Sequence, residues 1–156
     1  MMRRKPCLVA IPLLFPCLVF ADCISDAARY HGVDEFLMQA IAIQESAGKS
    51  DAINCGNRNK SCDYGLTQTN SIHLNRLSRL GVTKDDLLDP CISAYVGAWI
   101  LSENIARLGA TWNAVGAYNA REPKARTSYV LSIQRTLTKL KSGEVSPLIV
   151  HSKQDR

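Results

Sequence analysis

The chain has no apolar run long enough to cross a bilayer as a helix. Its one candidate, Cys7 to Phe20, falls short of roughly 18 to 20 residues and contains Pro12 and Pro16. Pro16 and Asp22 stand where a lipoprotein signal would place a small residue, which argues against a lipid anchor on Cys17 or Cys23. There is no Cys-x2-Cys pair, and His31, His73 and His151 fall at no ligand-like spacing, so neither a metal nor any other cofactor is expected. Nucleic acid is a poor partner for the same kind of reason: no Lys/Arg stripe with interleaved aromatics is present, and Lys139-Leu140-Lys141 reads as a solvated helix end. Repeats and low-complexity linkers are also absent.

Arg3, Arg4 and Lys5 precede the apolar run, and Val19-Phe20-Ala21 offers small-residue cleavage after Ala21. This pattern predicts a secretory signal peptide over residues 1–21 and a periplasmic location. Its removal leaves 135 residues, enough for one core and one domain, and lowers the net charge from +5 to about +2. Basicity therefore says little about partners. Cys23, Cys55, Cys62 and Cys91 remain, an even number in a compartment that permits oxidation. Four cysteines allow three pairings. We favour Cys55–Cys62, closing a loop rich in Asn, Gly and Lys, and Cys23–Cys91, tying the first helix to a long later one.

Helical periodicity organises the rest. Residues 22–32 and 35–47 read as helices, with Asp34 as N-cap of the second and Gly32 and Gly48 at the ends. Periodicity stops from Ser50 to Gly65, a loop or small β-hairpin, and helix is expected again from near Gln68 to Gly81. Thr83 caps a short turn through Leu88. Pro90 opens a long central helix to Leu108, with Ile92, Val96, Trp99, Ile100 and Ile105 as its inward stripe. Thr111 caps a helix through Ala120, and after Pro123 a last helix uses Tyr129, Val130, Ile133, Leu137 and Leu140. Residues 142–156 show no period and are expected to be a flexible tail. The fold class is mainly α, with a small loop or hairpin insert and two disulfides.

Two carboxylates stand out. Glu45 lies in the last turn of an apolar helix, where the helix dipole disfavours a negative charge and so favours the proton that a general acid needs. Asp63 follows the cysteine loop beside the Tyr64-Gly65 turn, where it can face Glu45 across a sugar ring. Each also has a plainer reading, as an exposed helix-end acid and as a turn residue.

Three motifs stand in order: Ala42-Ile43-Gln44-Glu45-Ser46, Tyr64-Gly65-Leu66-Thr67-Gln68-Thr69-Asn70, and Ala114-Val115-Gly116-Ala117-Tyr118-Asn119-Ala120. Together they resemble the motifs of lytic transglycosylases, in particular the small single-domain members that accompany type III and type IV secretion systems. The resemblance covers roughly residues 22–140 and implies a lysozyme-like fold. It also implies cleavage of peptidoglycan glycan strands at the β-1,4 bond, leaving a 1,6-anhydromuramyl end. By that resemblance Glu45 is the single acid and base, Ser46 contacts the substrate or steadies its acetamido group, Gln68 and Asn119 hold the glycan, and Tyr118 orients Glu45. A monomer that serves a secretion apparatus, type III favoured, is the implied setting.

The chain departs from the family pattern at Thr67, where methionine is usual, which would make the pocket wall more polar. Arg121 stands where glycine is usual, and would pair with a substrate carboxylate or narrow the cleft. Asp63 leaves a lysozyme-type hydrolase using both carboxylates as an alternative. Two readings of other classes are a non-catalytic peptidoglycan-binding assembly factor and an unrelated small secreted helical protein such as an inhibitor. Glu45 set beside Gln68, Tyr118 and Asn119 argues against both.

Overall fold

A computed structural model describes residues 22–119 and 123–153. The expected leader, Ala120, Arg121 and residues 154–156 lie outside the described residues. Among the described residues six α-helices run in order: α1 (Cys23–His31), α2 (Glu35–Ser46), α3 (Leu74–Ser78), α4 (Pro90–Leu108), α5 (Trp112–Asn119) and α6 (Pro123–Lys141). Three two-residue strands, β1 (Ile53–Asn54), β2 (Asp63–Tyr64) and β3 (Thr69–Asn70), sit between α2 and α3. They form an antiparallel sheet in the order β1-β2-β3, with Asn54 opposite Asp63 and Asp63 opposite Asn70.

Local chemistry sets these boundaries. Asp22, Asp34 and Asp89 each cap a helix N-terminus by accepting a backbone N–H with a side-chain oxygen, and Pro90 begins α4 where no amide hydrogen is needed. The helix expected from near Gln68 begins only at Leu74. Thr69 and Asn70 are drawn into the sheet, and the Asn70 side chain accepts from Ile72 N at 3.0 Å, capping a 3-10 turn over Ser71–His73. A second 3-10 turn, Asp86–Leu88, follows Thr83, whose Oγ1 accepts from Asp86 N while Asp86 accepts from Thr83 N.

α4 is the central helix and separates two apolar clusters. The larger joins Ile24, Met38, Ile41, Leu66 and Ile133 from surrounding elements to Leu101 of α4, and the smaller holds Leu77, Leu87, Val96 and Ile100. Burial on α4 is therefore two-sided rather than a single stripe. Ala94 and Ala98 face the first cluster, while Ile92 and Trp99 are half-buried beside the second. Small residues let Thr67 reach this helix: a Cβ on Gly97 would lie 2.7 Å from Thr67 Oγ1. The disulfides are Cys23–Cys91, joining the starts of α1 and α4, and Cys55–Cys62, closing the β1–β2 loop.

The chain end differs from the flexible tail expected from its lack of period. Cys23 N donates to Val150 O at 3.0 Å, Val150 N to Asp22 Oδ1 at 2.9 Å, and Leu148 N to the Gln39 side chain at 2.8 Å. Val145, Leu148 and Val150 pack against the larger cluster, and Lys153 N donates to Asp89 Oδ2 at 2.8 Å. Non-periodic sequence here reflects a strap whose partners lie on α1, α2 and the α4 cap.

Candidate active site

The last turn of α2 presents Glu45 to a cleft of about 1080 Å³, lined also by residues of the β1–β2 loop, β2, β3, α4, α5 and α6. Of the residues singled out in the sequence, Glu45, Asp63, Gln68, Tyr118 and Asn119 line it together. They come from four separate elements and span 74 positions, so only the fold can assemble them.

Glu45 is the carboxyl group whose protonation the fold alters most among the described residues. Its pKa is raised to about 7, chiefly because burial penalises the carboxylate, with the nearby Asp63 charge adding to the rise. Hydrogen bonds from Tyr129 and Asn119 pull the other way without cancelling it. The helix end supplied the sequence argument for a protonated Glu45, whereas burial is the larger physical cause. Asp63 is held on both oxygens: Asn57 Nδ2 donates to Oδ2 at 2.8 Å and Asn70 Nδ2 to Oδ1 at 2.6 Å.

Tyr129 is the site residue that sequence reasoning placed only in the core. Its hydroxyl donates to Glu45 Oε1 at 2.6 Å, the contact with Glu45 that had been expected of Tyr118. Tyr118 instead donates to Thr67 O at 2.9 Å, fixing the β2–β3 turn to α5. Burial is the main cause that pushes both phenols upward, with the Glu45 charge adding to it, so they remain proton donors. The signal for Tyr129 was present as a tyrosine within an apolar stripe, but a hydroxyl at such a position normally requires only some partner.

Ser46 does not face the cleft. It is buried, and its Oγ donates to Leu66 O at 2.7 Å, bracing α2 against the β2–β3 turn. Thr67 is likewise no pocket wall, being fully buried with Oγ1 donating to Ser93 O at 2.8 Å. Gly65 makes this turn possible. Its φ is +78°, and a Cβ there would meet Leu87 O at 1.8 Å. Gln68 also adopts a positive φ of 49°, and its amide donates to Ala52 O and Gly65 O.

The arrangement is one buried carboxyl that favours its proton, one hydrogen-bonded carboxylate whose charge reaches it, and amides lining the same cleft. Such a constellation has the chemistry to protonate a leaving oxygen and to stabilise a developing cation. Among the described residues no group of three or more metal-binding side chains occurs, and no helix is long and apolar enough to cross a membrane.

Comparison with known proteins agrees with this chemistry. The family described as Transglycosylase SLT domain matches residues 22–129. The invasion protein IagB of Salmonella typhimurium is 44% identical over 139 residues, covering 86% of both chains. Protein IpgF of Shigella flexneri is 38% identical over 125 residues, covering 77% of this chain and 82% of its own. Among solved structures, an inactive mutant of the lytic transglycosylase Slt from Pseudomonas aeruginosa superposes on 86% of this chain with a TM-score of 0.63 at 22% identity, a likeness of fold. This chain spans 26% of that larger protein. A lysozyme-like helical fold and a family match over most of the described residues lead to one conclusion: the chain belongs to the transglycosylase SLT domain family and is a peptidoglycan lytic transglycosylase.

Proposed function

We propose that the protein cleaves the β-1,4 bond between N-acetylmuramic acid and N-acetylglucosamine, with Glu45 as both acid and base. The observation that carries this reading is a carboxyl held near pKa 7 in the cleft, hydrogen-bonded by Tyr129 and Asn119. Protonated Glu45 donates to the glycosidic oxygen as the bond to C1 breaks. The resulting Glu45 carboxylate then takes the proton of the muramyl C6 hydroxyl as that oxygen closes on C1, giving a 1,6-anhydro end without water. Asp63, with its charge facing the same space, stabilises the cationic sugar and raises the pKa of Glu45. Gln68 and Asn119 supply amides for the glycan.

This same coupling to Asp63 favours a second outcome, in which a water completes the reaction as in a lysozyme. Digestion of purified sacculi separates them: anhydro ends identify the transglycosylase and reducing ends the hydrolase. Glu45→Gln should abolish release of either, a loss on the order of 10²-fold or more, since the amide cannot deliver a proton. Activity above about half of wild type would remove Glu45 from the mechanism.

The setting we propose is the periplasm, reached through the signal peptide, where local opening of the wall makes room for a secretion apparatus, type III favoured. The two disulfides suit an oxidising compartment. Likeness to proteins named for invasion supports the secretion setting.

A further inference from the structure

The glycan cleft has a side branch. A second cavity of about 600 Å³ shares His73, Ile100, Asn104 and Arg107 with the main cleft and continues past them to Arg76 and Glu103. Charge within it is unbalanced. Arg76 lies over the Trp99 ring at 4.1 Å and pairs with Glu103 at 2.6 Å, so those two charges offset each other. Arg107 pairs with no carboxylate among the described residues, and its Nη2 donates to Asn104 Oδ1 at 2.9 Å. Asn104 is only 7% exposed, so a buried amide holds this exposed cation at the junction of the two cavities. Buried Ile100 contributes to the wall of both.

An unbranched polymer needs one groove, whereas a groove with a charged side pocket suits a branched one. Peptidoglycan is branched at each muramyl unit, where a lactyl ether carries a short peptide with free carboxylates. A positioned guanidinium presents paired donors that match a carboxylate better than a mobile ammonium does. We infer that the side cavity receives the acidic peptide stem of the substrate and that Arg107 binds one of its carboxylates. This inference rests on the reading that the main cleft holds glycan, and it makes stem-bearing strands the preferred substrate over strands stripped of peptide.

The experiment measures binding, so that it does not depend on turnover. Protein carrying Glu45→Gln is titrated with soluble glycan strands bearing their stems and with the same strands after amidase removal of the stems. Stem-bearing strands should bind about tenfold tighter, the worth of one charge-assisted hydrogen bond. Adding Arg107→Gln should bring that ratio close to one, while Arg107→Lys restores part of it. Arg135→Gln, which removes an exposed charge on α6 outside both cavities, should leave the ratio as it was. Equal binding of the two strands, or a ratio that survives Arg107→Gln in protein with an unchanged melting temperature, overturns the inference. Absence of binding to either strand overturns the glycan reading and this inference with it. Loss of cleavage with the binding ratio intact would strike only the catalytic assignment.

Discussion

Asp63 and Tyr129 act on Glu45 in opposite senses, and that opposition can be measured. Asp63 raises the Glu45 pKa through its charge, while the Tyr129 hydroxyl lowers it by donating to the carboxylate. A general acid works only while protonated, so the rate should fall as pH rises through about 7. Asp63→Asn should move that limb to lower pH, and Tyr129→Phe should move it to higher pH while slowing turnover through loss of orientation. If both variants shift the limb in the same direction, or neither shifts it, the proposed coupling is wrong. Stability gives a separate check on Glu45. Its pKa rises on folding from 4.5 to about 7, so the folded state binds more protons and stability declines as pH climbs through that window. Glu45→Gln removes the buried charge and should stabilise by ~3 kcal/mol at pH 8, with the difference vanishing below about pH 4.5, as thermal melts at the two pH values would show. Glu45 was visible in the sequence because an acid in an apolar helix end is unusual. Tyr129 was hidden because its spacing in α6 also satisfied the core pattern, and nothing local reveals a partner 84 positions away.

At the scale of elements, the β1–β2 loop connects stability to chemistry. Cys55–Cys62 closes a separation of only 7 residues, for which the chain-entropy account gives about 2 kcal/mol, and the 68-residue separation of Cys23–Cys91 gives about 4 kcal/mol. The short loop nevertheless carries Asn57, which holds Asp63, and Asn59 and Ser61 beside the cleft. Replacing Cys55 and Cys62 with serine should therefore cost activity out of proportion to the melting temperature, whereas replacing Cys23 and Cys91 should do the reverse. Comparing residual rate at a temperature well below both melts tests this; equal proportional losses would contradict it. Most helices were legible here because caps and glycines punctuate a 3.6-residue period. The segment from Gln68 to Leu74 was not, since Ile72, Leu74 and Leu77 fit a helical period while Thr69 and Asn70 are claimed by pairing with β2. Tertiary pairing overrode local pattern there.

Over the whole molecule, closure depends on the strap that returns from the end of α6 to the beginning of the fold. Its partners are far away in sequence, with separations of 109 and 128 residues for the bonds to Gln39 and Asp22, so no window of sequence could show it as structure. The energetic case is made by Gln39, which is only 2% exposed on α2, exchanges two hydrogen bonds with the Leu148 backbone and donates a longer one, at 3.3 Å, to Asp22 Oδ2. Truncation after Glu144 would remove both Leu148 bonds from a buried amide, leaving its oxygen without a partner and its nitrogen only the longer bond to Asp22, a loss of about 1 to 3 kcal/mol, and expose apolar surface now covered by Val145, Leu148 and Val150. Each of those side chains is partly buried and contributes about 1 kcal/mol or more. The truncated protein should therefore be less stable by about 3 to 6 kcal/mol, while Leu148→Ala, which keeps the backbone bonds to Gln39, should lose roughly 1 to 3 kcal/mol. Urea unfolding of the three proteins at one pH gives the comparison directly. A truncated chain as stable as the full one would mean that the strap merely rests on the core; a loss well beyond that of Leu148→Ala would show that the buried amide, and not only the apolar contact, ties the last residues to the first.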